Sequence, residues 1–279
     1  MFRREYIETE FKGYPSITQR LNELVEESGI QEGLCIVSVP ELTTALCITS
    51  FWDKRGLDDL MDEIDRNFPA RVNYKSQITP FDSAGNVKAA AVGRSLTLLV
   101  HGGKLILGSS QGVVLLEFDG PRKRAFEVQI AEREMKLYKT GIKTRYMGMC
   151  NMTEWVRSCV KNSGIREGLC HISQLHSTAG VILCDATENG AADIMGDIEK
   201  MVPTRADFKH RETASDAGGH VKTALTGSQI SLPVHEGELV IGDRQGIVFA
   251  EFDGPRPRTV YAAVMASQFY IGQNGDFNG

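Results

Sequence analysis

Long apolar runs are missing from this 279-residue chain. No segment approaches the roughly 18 residues that a membrane-spanning helix needs. The opening MFRREYIETEF has no continuous apolar core of the kind that directs secretion. Cysteine is sparse: Cys35, Cys47, Cys150, Cys159, Cys170 and Cys184 form no C-x-x-C pair and no disulfide framework. An excess of positive charge is missing too. The net charge of −5 argues against a nucleic-acid or anionic-membrane partner. The expectation is a cytoplasmic protein whose cysteines are buried as small hydrophobes.

What the chain does contain is itself, twice. GIQEGLC from Gly29 returns as GIREGLC from Gly164, an offset of 164 − 29 = 135. EFDGPRKR from Glu117 returns as EFDGPRPR from Glu251, an offset of 251 − 117 = 134. From Lys75/Lys209 to Arg124/Arg258 the register holds without a gap, and 24 of the 50 paired positions are identical. A period this long is a duplicated domain and not a solenoid repeat of roughly 20–50 residues. With 30.7 kDa to divide, each copy can bury its own core.

Each copy has the same order of patterns. An alternating stretch (Tyr6–Phe11; Gly141–Tyr146) reads as a strand. An amphipathic helix follows, with Ile17, Leu21, Leu24 and Val25 on one face, or Met152, Val156, Cys159 and Val160; Thr18 and Thr153 are candidate caps. Strands through Leu34–Val39 and Thr44–Ile48 precede an acidic helix ending at Pro69, and the second copy matches with Leu169–Ile172, Val181–Cys184 and Pro203. The last third is strand-rich, its Gly-bounded segments reading as consecutive antiparallel strands. Two helices per unit beside so many strands predict an α+β fold: two tandem mixed β-sandwich domains with flanking helices. The domains are 1–134 and 135–279, joined near Arg133–Lys136 without a Gly/Ser/Pro linker, so they should pack tightly.

The copies differ in histidine. His101 and His235 occupy matched places and read as structural. His171, His176, His210 and His220 face Ile36, Leu42, Ser76 and Asn86 in the first copy. His171, on a strand, reads as a satisfied half-buried histidine. The other three, joined by a carboxylate, have the composition of a divalent-metal site, most often zinc. Asp185, Glu188 and Asp193 are the nearby carboxylates, as ligand or general base. Their simultaneous loss from the sister copy favours a shared role. Arg256, Arg258 and Lys222 are candidates for holding a phosphate. The retained Arg122/Arg256 and Asp119/Asp253 also suit a pair that ties the Phe-Asp-Gly-Pro turn.

HSTAG (His176–Gly180), KHRET (Lys209–Thr213), GGHVKTALTG (Gly218–Gly227), GDRQG (Gly242–Gly246) and EFDGPRPR together resemble, in their order, the YjbQ-like family. These are single-domain proteins described as secondary thiamine-phosphate synthases. The resemblance implies a mixed β-sandwich, a homo-oligomer of trimer-related symmetry, and a metal-type site near subunit contacts. By position it implies His176, His210 and His220 as metal ligands. Asp185 and His220 become the catalytic pair, and Lys222, Gln245 and Arg256 the substrate contacts. Departures are visible: Cys184 stands at the family's Asn, Asp243-Arg244 at its Thr-Trp, and the first copy lacks every histidine.

Two functions follow as expectations. One is a metal-dependent enzyme acting on a small phosphorylated molecule, which by the resemblance joins a hydroxymethylpyrimidine diphosphate to a thiazole phosphate. The other is a non-catalytic metal- or ligand-binding assembly protein with a degenerate first domain.

Overall fold

Polar residues alternating with half-buried ones at the head of each copy make an edge strand, β1 (Phe2–Thr9) or β8 (Lys136–Lys143). Both begin earlier than the alternation suggests; in β1 a long charged side chain pairs across the sheet, Arg4 Nε donating to Glu127 at 3.0 Å. The computed structural model describes residues 1–71, 73–205 and 207–267. No helix among them is long and apolar enough to cross a membrane.

Helices α1 (Thr18–Ser28) and α4 (Thr153–Ser163) bury the faces their periodicity marks, Leu21, Leu24 and Val25 or Val156, Cys159 and Val160. Each stops at a glycine in the left-handed region, Gly29 at φ 68° and Gly164 at φ 70°, where a side chain would be strained. Thr18 and Thr153 are not caps. They are the first helical residues, and their hydroxyls accept the Val113 amide at 2.8 Å and the Ile247 amide at 2.9 Å. Each threonine therefore pins a helix to a strand.

The first copy continues through β2 (Glu32–Ser38), β3 (Thr44–Thr49), α2 (Lys54–Asn67), α3 (Asp82–Val92), β4 (Ser95–His101), β5 (Lys104–Leu105), β6 (Gly112–Glu117) and β7 (Arg122–Glu132). The second runs through β9 (Met149–Asn151), β10 (Gly168–Gln174), β11 (Ala179–Asp185), α5 (Glu188–Met201), α6 (Asp216–Thr226), β12 (Gln229–His235), β13 (Glu238–Leu239), β14 (Gln245–Glu251) and β15 (Pro257–Ala266). Five strands form an antiparallel sheet in each copy, ordered β1-β7-β2-β4-β5 and β8-β15-β10-β12-β13. The orders match element for element. This is a tandem α+β duplication.

Two strands depart from the consecutive pairing expected. β6 leaves its neighbours and pairs with β3, and β14 pairs with β11 and β9. The burial explains this: all six residues of β3 and of β6 are buried, so both faces of that small sheet need covering. The large sheet and α1 cover one face, with Leu46, Ile48, Val113 and Leu115 in that core. Helix residues cover the other, Leu57, Leu60 and Ile64 of α2 among them. Each copy has three helices where periodicity suggested two. The third in the second copy, α6, contains the segment Val221, Ala224 and Leu225, whose spacing fits the start of an amphipathic helix, and it is buried along nearly all its length.

That second core is shared. Val221 and Ala224 of α6, with Val202, pack into the layer over the first copy's small sheet. Leu34 and Leu99 of the first copy meet Ala263 and Met265 of the second. The copies are fused through their cores.

Burial also decides the retained arginines. Arg124 meets Glu117 at 2.7 Å through Nη2, and Arg258 meets Glu251 at 2.5 Å; both glutamates are wholly buried. Each arginine also donates to a threonine hydroxyl, Thr43 or Thr178. Arg122 and Arg256 pair with Asp119 and Asp253 at 2.8 and 3.0 Å, as the turn reading anticipated. Removing one member of a buried pair strands its partner, so Arg124→Met or Arg258→Met should each cost ~3–5 kcal/mol. The exposed Arg122→Ala should cost less than about 1 kcal/mol. Urea unfolding of the three variants measures the contrast; equal losses would show that the buried pairs are not special.

Candidate metal centre between the two copies

Helix α2 of the first copy organises the histidine loop of the second. The Asp59 carboxylate is buried and accepts two consecutive amides, Lys209 at 3.0 Å and His210 at 2.8 Å. Glu63, one helical turn on, takes Arg205, and Asp62 takes the Lys209 ammonium at 2.7 Å. Three carboxylates on one helix thus hold the loop that carries His210. A Cβ on Gly56 would meet the His210 ring at 3.4 Å, so the helix passes close.

His210 is gripped at both nitrogens. Its Nδ1 lies 2.7 Å from Asp53 Oδ2, and its Nε2 lies 3.1 Å from Asp216 Oδ2. Asp53 caps α2 and belongs to the first copy. Its carboxyl is held far below the usual range, first by the Arg55 side chain and then by His210. Asp216 opens α6, where it accepts the amides of Glu212 and Ala217, each at 2.8 Å. Asp82 does the same in the first copy with Ile78 and Ser83. Asp216 is the first residue of α6, and its carboxylate ties down the turn before the helix while facing a histidine.

His220 lies one turn along α6 from Asp216, on the same face. Its ring stands 5.4 Å from that of His210, centroid to centroid. His220 Nδ1 is 2.9 Å from the Ser177 carbonyl, which can only accept, so Nδ1 carries the proton and Nε2 the lone pair. Burial, the largest cause, lowers the His220 pKa, partly opposed by that carbonyl. The ligand atoms of His210, Glu212 and Asp216 fall within 4.8 Å of one another. Asp53 behind Nδ1 makes a carboxylate–histidine pair of the kind that orients metal ligands, and His210 Nε2, which here meets Asp216, would turn its lone pair to an ion bound between them. The donor set suits a divalent transition ion such as zinc.

Other predicted residues lie differently. His176 lines the same cavity, but its Nε2 accepts the Thr259 amide at 2.8 Å, which occupies that lone pair. Asp185 does not reach the histidines. It sits at the opposite end of β11 from His176, roughly 20 Å along the strand by its rise per residue, and pairs with Arg244 at 2.6 Å. Gln245 lies opposite Asp185 in the β11–β14 register, and its side chain closes a turn on the Gly242 amide at 2.8 Å. Lys222 is fully buried, its ammonium on Glu199 at 2.6 Å, with no opening to the cavity. Only Arg256 of the predicted substrate contacts lines it. His171 is fully buried on Ser231 at 2.8 Å, and His101 and His235 pair with Glu32 and Glu167.

The cavity holds about 270 Å³ and draws walls from both copies, with Ser50, Trp52, Asp53 and Ser110 from the first. Gln111, beside Ser110, donates to the carbonyls of Gln174 and His176, both at 3.2 Å. Sequence reasoning missed Asp53 and Gln111. Asp53 gave no signal because Thr187 occupies its matched position. Gln111 gave none because Gln245 stands at its matched position, which marks the pair as structural.

These features define a class: a duplicated α+β protein with one histidine–carboxylate cavity built across its internal junction. The model for the UPF0047 protein YjbQ-like family matches residues 5–133 and again 139–267, and the chain belongs to that family. A UPF0047 protein of Archaeoglobus fulgidus is 36% identical over 110 residues, 39% of this chain and 85% of that one. A UPF0047 protein of Methanocaldococcus jannaschii is 31% identical over 134 residues, 47% of this chain and 96% of its own. Among solved structures, a YjbQ/UPF0047-family protein of Clostridium acetobutylicum covers 46% of this chain and 99% of itself, at 31% identity and TM-score 0.44. A protein of Sulfolobus solfataricus covers 48% and 100%, at 29% identity and TM-score 0.45.

Acid should expose the buried imidazoles. Burial is the largest cause that lowers both His171 and His176 from 6.5 to about 4. Between those values the unfolded chain holds protons the folded chain does not, so stability falls as pH drops from 6.5 toward 4. The double variant His171→Ile with His176→Leu, carrying the first copy's residues, should lose stability less steeply over that window. Thermal melts across the window test this; an unchanged slope would show that other groups carry the acid response.

Proposed function

We propose that the chain is a metal-dependent enzyme acting on a small phosphorylated substrate in the cavity between its two copies. The observation that carries this is His210, oriented by a carboxylate from the opposite copy so that Nε2 faces Asp216 and Glu212. His210, Asp216 and Glu212 would hold the ion. When bound, a divalent ion supplies Lewis-acid stabilisation of charge on phosphoryl oxygens. Arg256, tied to Asp253 through one nitrogen and 47% exposed, keeps donors for a phosphate. His220 is neutral at ordinary pH with its lone pair on Nε2, which suits a general base.

Pockets for drug-sized ligands run from ~300 Å³ upward. A cavity of about 270 Å³ fits one small phosphorylated molecule. The joining of a hydroxymethylpyrimidine diphosphate to a thiazole phosphate, implied by resemblance, needs room for two. It is the finer form of this reading.

A binding or assembly role is the second reading, favoured by one observation: both His210 nitrogens already have partners in the protein. Elemental analysis and turnover on phosphorylated substrates, that pair included, separate the two. The enzyme reading expects about one transition-metal ion per chain. Asp53→Asn should weaken metal binding ~10–100-fold. His210→Ser with His220→Asn should abolish both binding and turnover, and His220→Ala turnover. Metal without turnover supports the binding role, and a metal-free active protein would sink the metal assignment.

We further propose self-association through faces that repeat the internal junction. Where Val221 and Ala224 are buried, the first copy leaves Val87 and Ala90 exposed, and Leu42 is 66% exposed. Arg71 and Lys75 match the gripped Arg205 and Lys209; Asp193 and Asp197 on α5 match Asp59 and Glu63. The pair Asp53–His210 becomes Thr187–Ser76, a change on both sides of the same contact. Head-to-tail contacts of this kind close into rings, and three chains are the number the family resemblance suggests. Light scattering should give a mass above the monomer, lowered by Asp193→Lys with Asp197→Lys; a wild-type monomer at micromolar concentration would overturn it.

A further inference from the structure

Both copies bury a lysine at the same position of the same helix, Lys88 on α3 and Lys222 on α6. Their surroundings have diverged. Lys222 has three partners: Glu199 at 2.6 Å, the Thr204 hydroxyl at 3.3 Å, and the Met147 sulfur at 4.0 Å. In the first copy Glu199 is matched by Asp65, one methylene shorter, and Thr204 by Ala70, which has no hydroxyl. Met147 is matched by Lys12, and both residues have positive φ, 48° and 54°.

The outcome is an unfilled pocket of about 230 Å³ in the first copy, between Lys12, Asp65, Ala70, Phe81, Lys88 and Phe118. Lys12 and Lys88 ion-pair to different oxygens of Asp65, so two ammoniums share one carboxylate. The matched group in the second copy is neutral, one lysine to one glutamate; here one positive charge is left over. The Lys88 side chain is only 4% exposed, yet among the described residues Asp65 is its sole hydrogen-bond acceptor. Its remaining contact is the Phe118 ring, 5.7 Å from Nζ. A buried ammonium with donors to spare calls for a further acceptor. Apolar walls, Phe81 and Phe118 above all, suit a ligand with an apolar body.

We infer that this pocket binds a small organic carboxylate, its head between the Lys12 and Lys88 ammoniums and its body between Phe81 and Phe118. One added negative charge balances the group. A carboxylate's two oxygens can meet two ammoniums, and the volume admits one compact molecule. The inference stands apart from the metal centre, which uses none of these residues.

Benzoate is the probe, titrated calorimetrically into the full chain, with benzamide as the neutral control of the same shape. Benzoate should bind saturably and benzamide should not. Lys12→Met and Ala70→Thr give the first copy residues that the second already carries in the same fold. Lys12→Met should weaken benzoate binding ~10-fold or more, the worth of a charge-assisted hydrogen bond, and adding Ala70→Thr should abolish it. Arg256→Ala should leave it unchanged, which separates this pocket from the histidine cavity. Equal affinity in wild type and Lys12→Met would overturn the inference. So would benzoate that fails to saturate, or binding lost with Arg256.

Discussion

Asp59 accepts two amide hydrogens from across the internal junction, and the candidate site depends on that contact. Lys209 and His210 lie in a loop with no sheet or helix of its own to satisfy its backbone. A carboxylate already buried on α2 does so instead, fixing the His210 backbone before any side-chain chemistry begins. Buried donors and acceptors that find each other are worth most where water is absent. Here both belong to a layer closed by Leu60, Ile64, Val221 and Ala224. The same helix then offers Asp53 from its N-cap to the imidazole itself. Core packing, backbone satisfaction and ring orientation thus come from one element of the copy that has no site histidines.

Much of the architecture was legible because duplication supplies its own alignment. The offset of 134–135 residues set the strands and helices of one copy against those of the other, and the five-stranded sheet orders agree; only β9 is met by a lone bridge, Ser16 to Val114. Element ends were less legible. β1 extends to Phe2 because charged side chains pair across its outer face, which alternation cannot register. Helix α6 gives only the short signal of Val221, Ala224 and Leu225, since both its sides are covered, one by its own sheet and one by the neighbouring copy.

Within the site, His210 and His220 were legible and their partners were not. A histidine missing from its matched position is visible in one sequence. A carboxylate that arrives from the other copy is not, since nothing in the chain marks which faces meet. Lys222 fails as a substrate contact for a related reason: matched lysines in matched helices look functional, yet Lys222 is spent on Glu199. The divergence lay around that lysine, where Ala70 and Lys12 replace Thr204 and Met147. His176 keeps its place in the cavity while the Thr259 amide takes its Nε2 lone pair.

The displaced Asp185 explains the asymmetry of the copies. The junction is heterologous: the end of a small sheet and its following helix in one copy meet the histidine loop of the other. Two copies in one chain make one such meeting. Asp53 stands at the end that meets a loop; Asp185, two residues short of the matched position, stands at the end that faces outward. Asp185 is therefore the right kind of residue on the wrong copy. Among the described residues, no helix of this chain faces the first copy's loop, with Leu42, Ser76 and Asn86, as α2 faces the histidine loop. Histidines placed there would find, within the same chain, neither an Asp59 to hold their backbone nor an Asp53 to set their tautomer. The carboxylates matched to Asp59 and Glu63, Asp193 and Asp197 on α5, face outward, and Asp53 has no carboxylate at its matched position, Thr187. Asp53 on α2 and the histidine loop of the second copy are the two halves that the order of the chain brings together.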